Sequence, residues 1–571
     1  MEAPLAMREG NSLYSFIRRF SHSGHGSRNQ GQKYLMTFNS DRKFWGWGVD
    51  SYSLAEPVLM LVQAFLTSKF GGAAAAKRPA PALDEIRMLN PALGVPAALA
   101  DITTDARYDR AAHTYGKGFR DVVRALDGDF EGAPDLVAYP RHEEDVVRVL
   151  KWAVATNVAV IPFGGGSSVV GGIEADRESR PKFAGVLSLD LCHLNRVLDI
   201  DRESRCVCVQ GGTYGPALEA QLKPHGYTLR HFPQSFEFST VGGWIATRAG
   251  GHYATLYTHI DDFVESVRMV TPQGLLETRR LPGNGAGPQE DRLVLGSEGV
   301  FGVITQAWLR VQDLPRCRAG CVVHFESFMA GAEACRKLAQ SGLFPANARL
   351  IERDEALFMG AGDGTHHILL LGFESATFPQ EERLNAALAL CVAQGGKPKK
   401  SLIRNDSAQA TATDSIADQW KQSFLRAPYV RDEIVRMGYI SETFETCTTW
   451  ANFPAFDAAV RSAAQAALKT HCGEGLITCR FTHLYPDGPA PYYTIIAPSA
   501  PGKQLEQWDA IKRAVSLALI DMGGTITHHH SVGKDHRPYY LMQNAPLSLA
   551  MLRAAKHTVD PHGIMNPGTL L

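Results

Sequence analysis

The chain has 571 residues, 45% hydrophobic and 20% charged, with 58 Lys and Arg against 59 Asp and Glu and a formal net charge of −1. This length fills about two to four domains with packed cores. The balanced charge excludes the basic stripe of a nucleic-acid binder. Ten cysteines occur without a Cys-x-x-Cys pair, a usage that reads as reduced thiols in a cytoplasmic compartment, with neither a metal nor a disulfide framework. The first residues lack the basic-apolar-small order of a secretory signal.

Residues 1–132 form an N-terminal region. Its first 40 residues are rich in Ser, Gly, Arg and His and are expected to be poorly ordered. Tyr52 to Phe70 is apolar but broken by Glu56, Pro57 and Gln63, too short and interrupted to span a bilayer. It reads as a helix docked on the protein's own surface, with an interfacial anchor as the alternative. Gly71 to Pro81 reads as a linker.

Strand and helix signals alternate over residues 133–315. Strands are expected at Leu136–Tyr139, Val158–Ile161, Val186–Leu191, Cys206–Val209, Val264–Thr271 and Ala307–Val311. Helices are expected at Glu143–Ala155 and Pro216–Leu222. The fold class is α+β. A second α+β domain, a cap over the substrate, is expected over 316–522, with helices such as Phe328–Ser341 and Gln504–Met522. Residues 523–571 form a C-terminal segment that completes the site.

The run Pro162-Phe163-Gly164-Gly165-Gly166-Ser167-Ser168 follows an apolar strand. Its glycines permit positive φ and close backbone approach, and successive N–H groups form an anion-binding concavity. Alone it reads equally as a glycine-rich turn. Three more segments of small and hydroxyl residues follow: Gln234-Ser235-Phe236-Glu237-Phe238-Ser239-Thr240, Thr247-Arg248-Ala249-Gly250, and Glu298-Gly299-Val300-Phe301-Gly302-Val303-Ile304. Together they suit a dinucleotide gripped mainly by main chain, in neither a Rossmann nor a Walker pattern.

Other residues carry the chemistry. His528-His529-His530 places three imidazoles side by side, groups that titrate near neutral pH. On an extended segment His528 and His530 share one face and His529 takes the other. A metal site and a solvated turn are the alternatives. Tyr492, followed directly by Tyr493, is a phenol that acts as acid or base if neighbours tune it; its other reading is an ordinary strand aromatic. Arg349 and Arg431 suit an anionic group or a surface ion pair.

The glycine loop, Ser239-Thr240-Val241-Gly242-Gly243 and Gly296-Ser297-Glu298-Gly299 resemble the FAD domain of the vanillyl-alcohol-oxidase/PCMH superfamily. Some members attach FAD covalently through His or Cys near this loop; here only Gly, Ser and Val stand there, which implies non-covalent FAD. Gly46-Trp47-Gly48, Ser441-Glu442-Thr443-Phe444-Glu445-Thr446, Thr478-Cys479-Arg480 and His528-His529-His530-x-Val532-Gly533-Lys534 further resemble the alkylglycerone-phosphate synthase (alkyl-dihydroxyacetone-phosphate synthase) family, flavoenzymes of ether-lipid synthesis. The resemblance implies a transferase that exchanges the acyl group of acyl-dihydroxyacetone phosphate for a long-chain alcohol, the flavin N5 attacking the carbon that the fatty acid leaves. It implies catalytic roles for Tyr492 and the three histidines, and substrate binding by Arg431 and Arg349; peripheral membrane contact and a homodimer are also expected. The C-terminal Thr569-Leu570-Leu571 is not a peroxisomal address, so a cytoplasmic or membrane-peripheral location is expected. The competing reading is an FAD-dependent 2-hydroxy-acid dehydrogenase or oxidase of D-lactate or glycolate type on the same fold. A flavin-binding scaffold without catalysis is the third.

Overall fold

A computed structural model describes residues 41–71, 77–399, 401–405 and 416–571; the polar segment 1–40, expected to be poorly ordered, and part of the expected linker lie outside the described residues. Three sheets organise the chain. In the first, Val158–Phe163 and Leu136–Ala138 each run parallel to Gly185–Asp190. All residues of Gly185–Asp190 are buried, which is why these strands read as continuous apolar runs. The crossover helix Glu143–Thr156 buries Val146, Val149, Leu150 and Ala153 and ends at Asn157 with φ 54°, a left-handed cap that Asn tolerates. The chain then enters Val158–Phe163 and delivers the glycine loop at its C-terminal end.

The second sheet is antiparallel, with Val303–Arg310 between Cys206–Gln210 and Val264–Thr271. This strand begins four residues before the expected Ala307, because Val303 and Ile304 already pair with Val270 and Met269. The third sheet is antiparallel throughout and runs Cys317–Phe325, His367–Ser375, Asn347–Ile351, Leu476–Leu484, Pro489–Pro498 and Tyr439–Glu445 in spatial order. Helices Phe328–Ala339, Phe453–Cys472 and Gln504–Asp521 cover one of its faces in a shared core.

Two segments close over the space between the sheets. The C-terminal tail returns to the glycine-loop strand through a parallel bridge of Met565 to Val160. The helix Glu56–Phe70, started by Pro57 and capped by Gly71 at φ 65°, buries Val62 and Leu66 against Ile434, Met437, Tyr439 and Ile496. It is docked on the protein's own body. Among the described residues no helix is long and apolar enough to cross a membrane.

Candidate active site

A cavity of about 1210 Å³ lies between the sheets, larger than the roughly 300–1,000 Å³ of ordinary small-molecule pockets. One wall is main chain and small residues: Pro162 to Ser168, Gln234, Ser235, Ser239, Thr240, Thr247, Ala249, Gly250, Glu298, Gly299, Gly302 and Ile304. A second wall is apolar, with Pro57, Val58, Leu61, Val62 and Phe65 from one face of the N-terminal helix, and Leu357, Phe358, Met359, Val430 and Ile434. The third is protic and cationic: Arg349, Arg431, Arg480, His483, Tyr492, His529 and His530.

The glycine loop has little freedom to be anything else. A Cβ on Gly165 would stand 1.9 Å from the Phe238 carbonyl oxygen, and one on Gly164 would stand 2.4 Å from Thr240 Oγ1. Gly166 has φ 62°, the left-handed region that glycine enters freely. Buried Arg42 donates to the Gly165 carbonyl and lies over the rings of Phe163 and Phe238 at 5.8 and 6.0 Å. Lys117, also buried, has its ammonium pushed down to about 7 by burial and by the charge of Arg42. A nest of backbone backed by Arg42 and by Lys117, whose backbone N–H donates to the Ser168 carbonyl at 2.6 Å, fits a diphosphate. Sequence reasoning missed both cations, which carry no motif of their own.

Several residues assigned to the cofactor turn elsewhere. Arg248 pairs with Asp261 at 2.7 Å and its side chain is 60% exposed. The rings of Phe236 and Phe238 pack on Phe232 and Trp47 at 5.0 and 5.4 Å, and the Glu237 carboxylate accepts from the Tyr429 hydroxyl at 3.4 Å. Val300, Phe301 and Val303 fill the hydrophobic cores behind the wall, as residues beside a tight backbone turn must when their side chains are large. Glu298 reaches the cavity, yet its two oxygens accept the N–H groups of Val532 and Gly533, each at 2.7 Å. That carboxylate, pushed up to about 7 by burial, fastens the histidine segment to the cofactor wall.

The histidine segment does not alternate as a strand would. Buried Glu445 collects four of its donors: the N–H groups of His528, His529 and His530 at 2.6, 2.9 and 2.8 Å and the Thr527 hydroxyl. The chain curls around this carboxylate, and Ser531 takes φ 70°. His529 and His530 consequently both line the cavity, while His528 turns away to the Tyr485 hydroxyl at 2.9 Å. Burial holds all three imidazoles well below their usual range. Ring nitrogens of His483, His528 and His529 lie within 4.8 Å of one another, a spacing that three ligands of one metal ion can share.

Tyr492 and Tyr493 separate by strand alternation. Tyr492 lines the cavity, with the Arg480 guanidinium 3.7 Å above its ring and His529 nearly parallel at 6.0 Å. Tyr493 points to the opposite face, where its hydroxyl donates to Asp457 at 3.0 Å. Burial raises the Tyr492 phenol, and the Arg480 charge opposes that rise. Arg349 is 0% exposed, and its Nη2 donates to the His252 carbonyl at 3.1 Å; burial, then Arg480, lower it to about 9. A surface ion pair is thereby excluded for Arg349. Arg431 faces the cavity and donates to Asp432 at 2.7 Å.

Residues 134–279 match the FAD binding domain family, and residues 314–570 match the C-terminal domain of FAD linked oxidases. The alkyldihydroxyacetonephosphate synthase of Dictyostelium discoideum is 31% identical over 83% of this chain and 79% of its own. This chain belongs to the alkyldihydroxyacetonephosphate synthase family. It is an FAD-dependent enzyme of PCMH-type fold. A solved alkyldihydroxyacetonephosphate synthase structure matches this synthase-family fold with a TM-score of 0.77 at 25% identity, covering 93% of this chain and 99% of that one. The mitochondrial D-lactate dehydrogenase of Arabidopsis thaliana is 26% identical over 82% of this chain; the hydroxy-acid enzymes are thus more distant relatives.

Proposed function

We propose that this synthase-family enzyme exchanges the acyl group of acyl-dihydroxyacetone phosphate for a long-chain alcohol, releasing a fatty acid and leaving an ether. The observation that carries the reading is one cavity walled by a diphosphate nest, by protic residues and by a long apolar surface. A small hydroxy acid needs no such apolar wall; an acyl chain or a fatty alcohol does.

Pro162 to Ser168 and Arg42 would hold the cofactor's diphosphate, with Thr240 and Gly250 along its course. FAD, when bound, supplies a nucleophilic ring nitrogen for the exchange. Arg431 and Arg349 hold the anionic part of the substrate, since a guanidinium matches phosphate geometry. His529 and Tyr492 handle protons: one is removed beside the ketone before the fatty acid leaves, and one returns afterwards. Arg480, fixed by Glu355, keeps positive charge over the Tyr492 ring and favours its ionised form. The face of the N-terminal helix made by Val58, Leu61 and Phe65 keeps water from the site.

The other side of that helix exposes Met60, and we place peripheral membrane contact there. A cytoplasmic location and a homodimer complete the proposal. The test is direct: purified enzyme with FAD, acyl-dihydroxyacetone phosphate and hexadecanol should yield fatty acid and ether in equal amounts. Absence of ether with rapid flavin reduction by D-lactate would favour the hydroxy-acid reading.

A further inference from the structure

The imidazoles around His529 form one hydrogen-bonded chain with one end fixed by a backbone carbonyl. At one end His259 Nε2 faces the carbonyl oxygen of His528 at 3.1 Å. A carbonyl only accepts, so the His259 proton sits on Nε2 and its Nδ1 is an acceptor. The Tyr485 hydroxyl lies 3.2 Å from that Nδ1 and 2.9 Å from His528 Nε2. Thr258 Oγ1 is within reach of both His259 Nδ1 and Tyr485, at 3.2 and 3.3 Å. At the other end His529 Nδ1 lies 3.3 Å from Glu445 Oε2 and 3.0 Å from His528 Nδ1.

With the Tyr485 hydroxyl donating to His259 Nδ1, its oxygen accepts from His528 Nε2–H, which leaves His528 Nδ1 to accept from His529 Nδ1–H. With Thr258 donating to His259 instead, the Tyr485 hydroxyl can turn to His528 and reverse each step. In either arrangement every ring is neutral. Burial disfavours the charged form of each.

We propose that Tyr485, held by His259, is a positioning residue that fixes the tautomer of His528 and thereby keeps the lone pair of His529 on Nε2, making His529 the base. This rests on the proposed function for its chemistry but not for its geometry. Nε2 is the ring nitrogen of His529 for which the described residues provide no hydrogen-bond partner. When it takes the proton from the substrate carbon, the electron pair stays on that carbon as an enolate, and the imidazolium stands 3.3 Å from the Glu445 carboxyl. His530, His483, Arg480, Arg349 and Tyr492 also surround this ring. If the chain reversed, His529 would carry its proton on Nε2 and present a donor instead of a base.

The test is a two-bond proton–nitrogen spectrum of FAD-loaded enzyme with ring-15N histidine, the His529 signal being the one lost in His529→Ala. The expected pattern is a protonated Nδ1 and a bare Nε2. In Tyr485→Phe the bare nitrogen should shift partly to Nδ1, and kcat should fall about 10- to 100-fold with KM unchanged. A wild-type His529 protonated on Nε2, or a coordinated metal in place of these protons, would overturn the proposal, whichever substrate the enzyme takes. So would an unchanged tautomer and kcat in Tyr485→Phe. Should that variant not fold, the wild-type spectrum alone decides.

Discussion

The carboxylate of Glu445 accepts the backbone N–H of His529 at 2.9 Å and lies 3.3 Å from Nδ1 of the same residue. One buried acid thus sets where the imidazole sits, through the backbone of the same residue. Glu445→Gln puts an amide N–H₂ against donors, leaving buried N–H groups unsatisfied. It should lower kcat at least about tenfold and stability by about 2–4 kcal/mol, read by steady-state turnover and urea denaturation. Unchanged turnover would separate Glu445 from the chemistry.

Adjacent tyrosines give an internal control. Tyr492→Phe should reduce kcat by about 10²–10⁴ with FAD retained, because it removes the cavity hydroxyl. Tyr493→Phe should leave turnover intact and cost about 2 kcal/mol of stability through the lost bond to Asp457. The reverse pattern would place the proton-handling phenol on the other face of the strand.

Val58 and Leu61 stand one turn apart on the helix Glu56–Phe70, both facing the cavity. Leu61→Trp should fill part of the apolar space and shift preference toward shorter alcohols. Each excluded methylene removes about 0.8 kcal/mol of transfer energy, so a profile of kcat/KM against alcohol length should steepen downward for long chains. A profile identical to wild type would show that the alkyl chain runs elsewhere.

Stability should fall with acid. Burial lowers His231, His259, His483, His528, His529, His530 and His536 below their usual range. The unfolded chain binds protons at these sites from about pH 6.5 downward while the folded chain does not. Their contribution is complete above that pH and is lost below it. Glu298 and Glu445, pushed up to about 7, and Asp535, pushed up to about 6, act oppositely, because the folded state holds their protons longer. The histidines outnumber them, so urea midpoints should be lower at about pH 5.5 than at pH 7.5, by up to about 1.4 kcal/mol per pH unit for each net proton. Equal midpoints would mean that these rings are charged in the folded protein.

The cofactor wall was legible in the chain because glycine marks the places where backbone must approach backbone or ligand. Gly165 against the Phe238 carbonyl is such a place. Strand positions in the parallel sheet were legible for a related reason: Val158–Phe163 is buried on both faces and so is continuously apolar. The curl of the histidine segment is not legible, since nothing local announces that a glutamate more than eighty residues upstream will gather its N–H groups. Arg42, Lys117, Tyr485 and His259 were invisible for the same reason: each acts through contacts distant in sequence. Helix Glu56–Phe70 was recognised as docked, but apolar residues on more than one side concealed which face meets the cavity.

The most direct test of the account is anaerobic mixing of FAD-loaded enzyme with acyl-dihydroxyacetone phosphate and a long-chain alcohol, following the flavin spectrum, fatty acid and ether together. Stoichiometric fatty acid and ether are expected, with the flavin oxidised at the end of turnover. Persistent flavin reduction by a 2-hydroxy acid, with no ether from the lipid substrates, would contradict it.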